Sequence, residues 1–595
     1  WAWPPRWPRF SRLAPAERRQ FIERNLTGPQ VGRLGRNLSK IRSLFLAAYY
    51  GHRAVKDAIK FVPVNDRPRN VGNPLVPLGR RPPSIGQPGY DETELQADIC
   101  IIGSGAGGAV IAARAAQAGR RVVLLEEGRF FPSAAMSHDE GDSSAALYKE
   151  GGLQTTTDLG MTILQGRALG GTTVINNCIS FELEDPDLNP AAAKPLDAWE
   201  AFGANFAFAD LKNSYRTVVE DLGIKRIPAD IVGSNGEALL DGWKALLAMN
   251  GGDGSYPYHT FKMNYDRCGA CGYCNFGCRY ERKFSMTESY LTWAADQGAR
   301  IVTECHVLQV EIKGGRATGV KCRLADGREL TVVSDRIVIA AGAIGSSVLL
   351  LKSGITRNVG TRFSFNLATP LMARYPTPIN SYDGVQMASY VDSGTFLLES
   401  AFNPPLTFAV GLPGWFEHHF DRMEQFTRFA SAGVVVPTEP SGRVKRLGLL
   451  RSLLGPVRYR MSNHDFATLK RGMATLAETY FAGGADLVLP ASFVDSPMDR
   501  GEFVHNGRPD SDKIGRFLDR FRLPEDLTLN SSHPQGGNPM SDDSRRGVVG
   551  SDFRVHGLDN LFVCDASIYP SSMRINPQLT IMATADYAWR RSIGQ

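Results

Sequence analysis

Four cysteines, Cys268, Cys271, Cys274 and Cys278, fall within eleven residues of RCGACGYCNFGCRYERK (267–283), in the spacing C-x2-C-x2-C-x3-C. Gly269, Gly272 and Gly277 lie among them and allow the chain to coil tightly enough to bring the thiols together. The spacing equals a ferredoxin-type run of iron–sulfur ligands, although Arg279 stands where a proline usually follows. In such ferredoxins the fourth cysteine serves a second cluster, and this chain has no second set. One 4Fe-4S cluster on all four cysteines, or a 3Fe-4S cluster on three, is therefore the expectation. Zinc suits four thiolates as well, but usually through two C-x2-C pairs with a longer spacer. Disulfides 268–274 or 271–278 are the remaining reading, if the protein is exported. Of the nine cysteines, the other five (Cys100, Cys178, Cys305, Cys322 and Cys564) lie in or beside apolar strands and read as small buried hydrophobes.

A second site is written in ADICIIGSGAGGAVIAARAAQAGRRVVLLEEG (97–128). Gly103, Gly105 and Gly108 form G-x-G-x-x-G between an apolar strand and a helix of small residues. The first glycine permits the tight turn, the second lets backbone approach a pyrophosphate, and the third lets helix and strand pack closely. The helix start offers free N–H groups and partial positive charge to phosphates. Glu126, at the end of the next strand, is placed to accept hydrogen bonds from ribose hydroxyls. Strand, turn, helix, strand and acid in this order predict a Rossmann-type dinucleotide site.

Three further segments narrow the cofactor. QGRALGGTTVINN (165–177) is a second glycine-rich stretch, VIAAGAIGSSVLLLKSGI (338–355) reads as strand, turn and helix, and LFVCDASIYPSSMRINPQLT (561–580) carries a strand ending at Asp565 and a helix opening at Asn576–Pro577. Together these segments resemble the signatures of the glucose–methanol–choline (GMC) oxidoreductases, over roughly residues 97–595. RALGGTTVIN is similar to the family's R-x-L-G-G-S-S-x-x-N motif, with threonines for serines. The resemblance implies FAD as cofactor, held by Gly103, Gly105, Gly108, Glu126, Arg167, Gly170, Gly171, Thr172, Asn176, Val307, Asp565, Pro577 and Thr580. It also implies oxidation of an alcohol, with the hydroxyl proton going to a base and hydride to flavin N5. SSHPQGGNPM resembles the family's H-x-x-G-T-x-x-M segment, with Gly537 for threonine, and so assigns His533 as proton acceptor. Asn576 of INPQLT is assigned by the same resemblance as hydrogen-bond partner of the substrate oxygen. Histidine suits the task because its ordinary pKa of about 6.5 favours proton transfer near neutrality.

CGYCNFGCRYERK is also similar to a segment of long-chain alcohol oxidases, while the sugar dehydrogenases of the family carry an iron–sulfur cluster. Two outcomes follow for the reduced flavin. With a cluster, electrons leave singly to an external acceptor, a cytochrome or a quinone, and the protein is a dehydrogenase. Without one, oxygen reoxidises the flavin and the protein is an oxidase. A lyase with structural FAD and a non-catalytic electron-transfer subunit are the other classes considered.

These sites require an α/β fold: a Rossmann-type FAD-binding domain from about 97–190, 283–360 and 525–595, with a Cys-rich loop at 264–282. Residues 191–263 and 361–524 are expected to form an α+β substrate domain on an antiparallel sheet. TFLLESAFNPPLTFAVGLPGWF (395–416) would line it for a bulky apolar alcohol. Residues 1–96 read as a helical extension, with Ile41, Leu44, Phe45, Ala48 and Tyr49 on one stripe, followed by a Pro/Gly-rich connector at 65–92 laid over the surface. The net charge of +6 is small and gives no sign of nucleic-acid binding. Ten Lys/Arg against two acids in residues 1–45, and an acid-free basic run at 441–461, suit docking of an electron-acceptor protein or peripheral membrane contact. No run is long and apolar enough to span a bilayer, so the chain is expected to be soluble or peripherally membrane-associated.

Overall fold

The computed structural model describes residues 13–26, 33–67, 72–252, 256–446 and 455–595. Thirteen strands are needed to position the sites. The first sheet takes β1 (Glu94–Ile102), β2 (Val122–Leu125), β3 (Arg300–Val302), β4 (Cys305–Lys313), β5 (Arg316–Leu324) and β6 (Glu329–Ile339). The second takes β7 (Thr361–Arg374), β8 (Ser389–Asp392), β9 (Leu397–Ser400), β10 (Phe429–Pro437), β11 (Leu487–Pro490) and β12 (Asn530–Gly537). β13 (Leu561–Val563) then returns to the first.

The first sheet runs β3-β2-β1-β6-β5-β4. β1, β2, β3, β6 and β13 are mutually parallel, whereas β4 and β5 form an antiparallel extension. β6 is long enough to serve two neighbours on one side: its first half pairs with β5 and its last three residues with β13. β1 and β2 are buried along both faces where they pair, as expected of parallel strands covered by helices. The covering helices are α1 (Ala106–Gln117) and α2 (Gly342–Lys352), each leaving a parallel strand through a glycine turn.

The second sheet has nine strands, including the short Thr162–Ile163, Tyr258–Thr260 and Met498–Asp499. β7, fourteen residues long, is its spine: β12 pairs with its first half, β11 with its second, and β10 runs antiparallel along the other side. The helix Asn463–Ala482 buries Phe466, Leu469, Met473, Leu476 and Tyr480. Asn366 of β7 lies opposite His533 of β12, so the strand carrying the assigned base belongs to the antiparallel sheet although it precedes β13 in sequence.

One expectation changes. Within 395–416, Phe402, Phe408, Ala409 and Leu412 form a second core with Tyr50, Phe61, Phe426 and Phe429, so these residues are packing groups and not a substrate lining. The N-terminal helix Arg33–Gly51 docks through Leu46 and Tyr50, whereas Ile41, Leu44, Phe45 and Tyr49 are 46%, 53%, 71% and 51% exposed. The apolar stripe thus faces outward. Part of each basic segment (1–12, 27–32 and 447–454) lies outside the described residues. Among the described residues no helix is long and apolar enough to cross a membrane.

Candidate active site and cysteine cavity

The turn after β1 is built on contacts that only glycine admits. Gly103 has φ +102°, and a Cβ there would sit 2.3 Å from the Ala340 carbonyl oxygen. One on Gly108 would sit 2.0 Å from the Gly103 oxygen, so α1 lies directly on the strand exit. Gly105 differs: a Cβ there meets nothing within 4 Å, which leaves its backbone facing open space at the start of α1. Gly171 packs close beside it, where a Cβ would sit 3.0 Å from the Gly105 Cα, and Gly170 (φ +95°) donates its N–H to Ser104 Oγ at 2.9 Å. The two glycine-rich segments therefore face each other as one cradle, shaped for a phosphate-bearing ligand at a helix N-terminus.

Glu126 is buried at the rim of this cradle. Its Oε2 accepts from the Ser104 N–H (3.1 Å) and Oγ (2.6 Å), and its Oε1 from the Gly128 N–H (2.8 Å). Burial pushes its pKa up and these donors pull it back. Oε1 retains acceptor capacity for a ribose hydroxyl. Val307 lies two residues into β4, whose first N–H donates to the Glu126 carbonyl at 2.9 Å. Asp565 is buried and holds the start of α2, accepting from the Gly342 N–H (2.9 Å) and Ser346 Oγ (2.5 Å), with Ser567 N–H on the other oxygen. Thr172 Oγ1 accepts from Gly166 N–H, Thr580 Oγ1 accepts from Tyr215, and Pro577 caps α3 (Gln578–Ala588). Asn176 Nδ2 donates to Gln578 Oε1, tying the second glycine segment to α3. The Arg167 side chain is exposed, and its backbone N–H donates to Leu147.

His533 and Asn576, 43 residues apart in sequence, meet with Asn576 Nδ2 3.5 Å from His533 Nε2. Asn366 joins their two segments. Its carbonyl accepts from Ser531 Oγ (2.6 Å), its Nδ2 donates to the Ile575 carbonyl (2.6 Å), and its Oδ1 accepts from Ser572. Gln535 adds a second tie by accepting from the Met573 N–H. Burial holds the His533 pKa down at about 4, so the ring is neutral and free to accept a proton at pH 7.

A third group was not read from the sequence. Glu399, on β9, is buried and faces the Asn576 amide; burial raises its pKa to about 8, partly opposed by that amide. At neutral pH it is a protonated, uncharged acid. Its place within FLLES reads as ordinary strand, and only the pairing of β9 between β8 and β10 brings it here. Glu399 Oε1, Asn576 Oδ1, both amide atoms of Asn538 and Ser567 Oγ are buried without hydrogen-bond partners. Unpaired buried polar atoms are costly; Glu399 and Asn576 face each other, and Asn538 is bonded through its backbone N–H to the Ser567 carbonyl, so each pair offers free polar atoms to a polar ligand.

The cysteine loop lies next to this site. Cys268, Cys271, Cys274 and Cys278 line one largely apolar cavity with Tyr265, Tyr273 and Met263. Cys178, expected to be a plain core residue, lines the same cavity. All nine cysteines are free. Backbone N–H groups point at the sulfurs: Ala270 to Cys268 (3.4 Å), and Arg282 and Lys283 to Cys278 (3.3 and 3.4 Å). Among the described residues no group of three or more His, Cys, Asp or Glu is set to hold a metal ion. The 65–92 connector is not merely laid on the surface but straps this loop, through Asn73 to the Cys268 carbonyl, Arg67 to that of Cys271, and Arg80 to Glu281 and Asp266.

A parallel sheet with its glycine cradle abuts an antiparallel sheet that carries His533, a mixed α/β architecture with a dinucleotide-type turn. Models of the GMC oxidoreductase family match residues 144–368 and 442–585, and an NAD(P)-binding Rossmann-like model matches 101–167. The chain is 30% identical over 587 residues to a GMC-type oxidoreductase of Mycobacterium tuberculosis, covering 96% of this chain and 86% of the other. It is 25% identical to a long-chain-alcohol oxidase of Arabidopsis thaliana, over 83% of this chain and 68% of that one. The fold is shared with pyridoxine 4-oxidase from Mesorbium loti at a TM-score of 0.60 and 17% identity, over 83% of this chain and 98% of that one. The chain belongs to the GMC oxidoreductases and is an oxidoreductase acting on CH–OH donors.

Proposed function

We propose that the protein oxidises a bulky apolar alcohol to the carbonyl compound, with His533 as proton acceptor. The observation that carries this is the meeting of His533, Asn576 and Glu399 beside the FAD cradle. FAD, when bound, supplies the hydride acceptor. His533, neutral at pH 7, takes the hydroxyl proton at Nε2, and the Asn576 amide donates to the same oxygen and fixes its orientation. Protonated Glu399 keeps negative charge away from an oxygen that is losing its proton. The substrate class is supported by the likeness to long-chain-alcohol oxidases. Anaerobic mixing with a long-chain alcohol, a short alcohol and a sugar tests it. Flavin bleaching by the long-chain alcohol is expected; bleaching by the sugar alone would overturn the substrate class, and bleaching by none would overturn the activity.

For the electrons' exit we propose an iron–sulfur cluster on the four cysteines and an external acceptor. Four sulfurs lining one cavity, with backbone N–H groups aimed at those of Cys268 and Cys278, support it. Iron and labile sulfide near four per chain are expected in anaerobically purified protein. Their absence, with oxygen reoxidising the flavin at the turnover rate, would make the protein an oxidase. The outward stripe of Leu44 and Phe45 supports contact with an anionic membrane, where such alcohols and quinones reside. Co-sedimentation with anionic vesicles should fall in Phe45→Ser, and equal binding would remove this contact.

A further inference from the structure

One residue of the segment that carries Asn576 is held in an unusual way. Arg574 has φ +68°, in the left-handed region that a long side chain rarely adopts, and is 7% exposed. Its Nη1 lies 2.5 Å from Oδ1 of Asp392, which is fully buried at the end of β8. Asp392 is itself fixed: Oδ1 accepts from the Gly394 N–H and Oδ2 from the Asn189 N–H, both at 2.8 Å. A buried ion pair gains little net stability because both charges leave water, yet breaking it on one side is costly. The best-attested use of such a pair is to fix the register of the elements it joins.

The elements joined here are the two halves of the candidate site. In the β8–β9 hairpin Tyr390 pairs with Glu399, and Asp392 with Leu397. Residues opposite one another, and residues two apart along a strand, share a face, so Asp392 and Glu399 project from the same face of this hairpin. Arg574 and Asn576 are likewise two residues apart. Arg574 meets Asp392, and Asn576 meets Glu399. The other ties of the segment run elsewhere: Ser572 and Ile575 bond Asn366 of β7, and Met573 bonds Gln535 of β12. These fix Asn576 relative to His533, which lies on β12 opposite Asn366. Apart from the Asn576–Glu399 contact itself, the Arg574–Asp392 pair is the one side-chain tie observed among the described residues from 572–576 to the hairpin that presents Glu399.

We propose that Arg574 is a positioning residue for alcohol oxidation: its ion pair with Asp392 sets Asn576 against Glu399 and His533 so that the amide holds the substrate oxygen. This rests on the reading of His533 and Asn576 given above. Because Arg574 acts through Asn576, its loss matters only where that amide is present.

The test is a mutant cycle on the FAD-loaded protein, following anaerobically the limiting rate of flavin reduction by an alcohol that bleaches it. Arg574→Met combined with Asp392→Asn, which leaves no unpaired buried charge, should lower that rate about 10- to 100-fold, the scale of a misplacement near 1 Å. In an Asn576→Ala background the same replacements should change it by less than about twofold. The second readout is the fall in rate as Glu399 ionises. Burial pushes the Glu399 pKa up and the Asn576 amide pulls it back, so withdrawing the amide should move that fall to higher pH. A rate equal to wild type, an equal loss in both backgrounds or an unmoved pH profile overturns the positioning role and leaves the proposed function standing. No reduction of wild-type flavin by any alcohol, or no slowing in Asn576→Ala alone, overturns the site reading and this inference with it. If the paired replacements do not fold, Arg574→Lys, which keeps the charge but not the planar fork, decides by the same criteria in the same two backgrounds.

Discussion

Replacing His533 by alanine is expected to leave FAD bound and to slow its reduction by alcohol about 10²–10⁴-fold, the range that a positioned acid–base group contributes. The two effects should separate because the proposed FAD anchors cluster around the parallel sheet while the proposed base is on the antiparallel one. The cradle is made by the turn after β1, Gly170–Gly171, Glu126 and Asp565, none of which touches the His533 ring through an observed hydrogen bond. β12 is held by its backbone pairing with β7 and by Ser531 and Gln535, so loss of the ring leaves the strand in register. The wild-type rate should also show an acid limb near pH 4, below which the ring is protonated and can no longer accept. Anaerobic stopped-flow reduction of flavin across pH checks both. Unchanged rates in His533→Ala would take the residue out of the chemistry.

The parts of this design differ in how openly the chain displays them. β1, the glycine turn, α1 and β2 are legible because local physics alone makes them: a short apolar run, a left-handed Gly103 and a helix of small side chains. The FAD class and the assignment of His533 and Asn576 as candidate catalytic residues came through motif resemblance, since one histidine among ten carries no local sign of reactivity. Glu399 was not legible. Its raised pKa arises from burial, opposite Asn576, 177 residues away, which depends on the order of strands in the antiparallel sheet. Periodicity likewise found the stripe on the N-terminal helix but not its direction, because Leu46 and Tyr50 on the adjacent face supply the packing. The Pro/Gly-rich connector lacked any periodic signal for the opposite reason: its contacts are made by backbone carbonyls and by Arg67, Asn73 and Arg80 reaching the cysteine loop.

Glu399 sets the second large effect, an alkaline limb near pH 8 that Glu399→Gln should abolish. Below pH 8 the buried carboxyl keeps its proton; above it, a carboxylate forms beside Asn576. The carboxylate would compete for the Asn576 N–H through a charge-assisted hydrogen bond, roughly twice as strong as a neutral one. It would also repel the alcohol oxygen as negative charge develops there during proton transfer to His533. Both effects slow oxidation, so the wild-type rate should fall about tenfold per pH unit above 8, while glutamine, an uncharged isostere, holds the rate level. Stability changes in the same window and gives a readout independent of turnover. The folded-state pKa of about 8 lies above the ordinary 4.5, so the folded protein binds this proton more tightly than the unfolded chain does. Stability from this group is therefore full below pH 4.5 and is lost as pH rises through 8. The melting temperature of wild type should decline more steeply than that of Glu399→Gln between pH 5 and 9. Parallel melting curves together with an unchanged alkaline limb in the variant would place the responsible ionisation elsewhere, and would leave His533 and Asn576 as the whole of the polar apparatus acting on the alcohol.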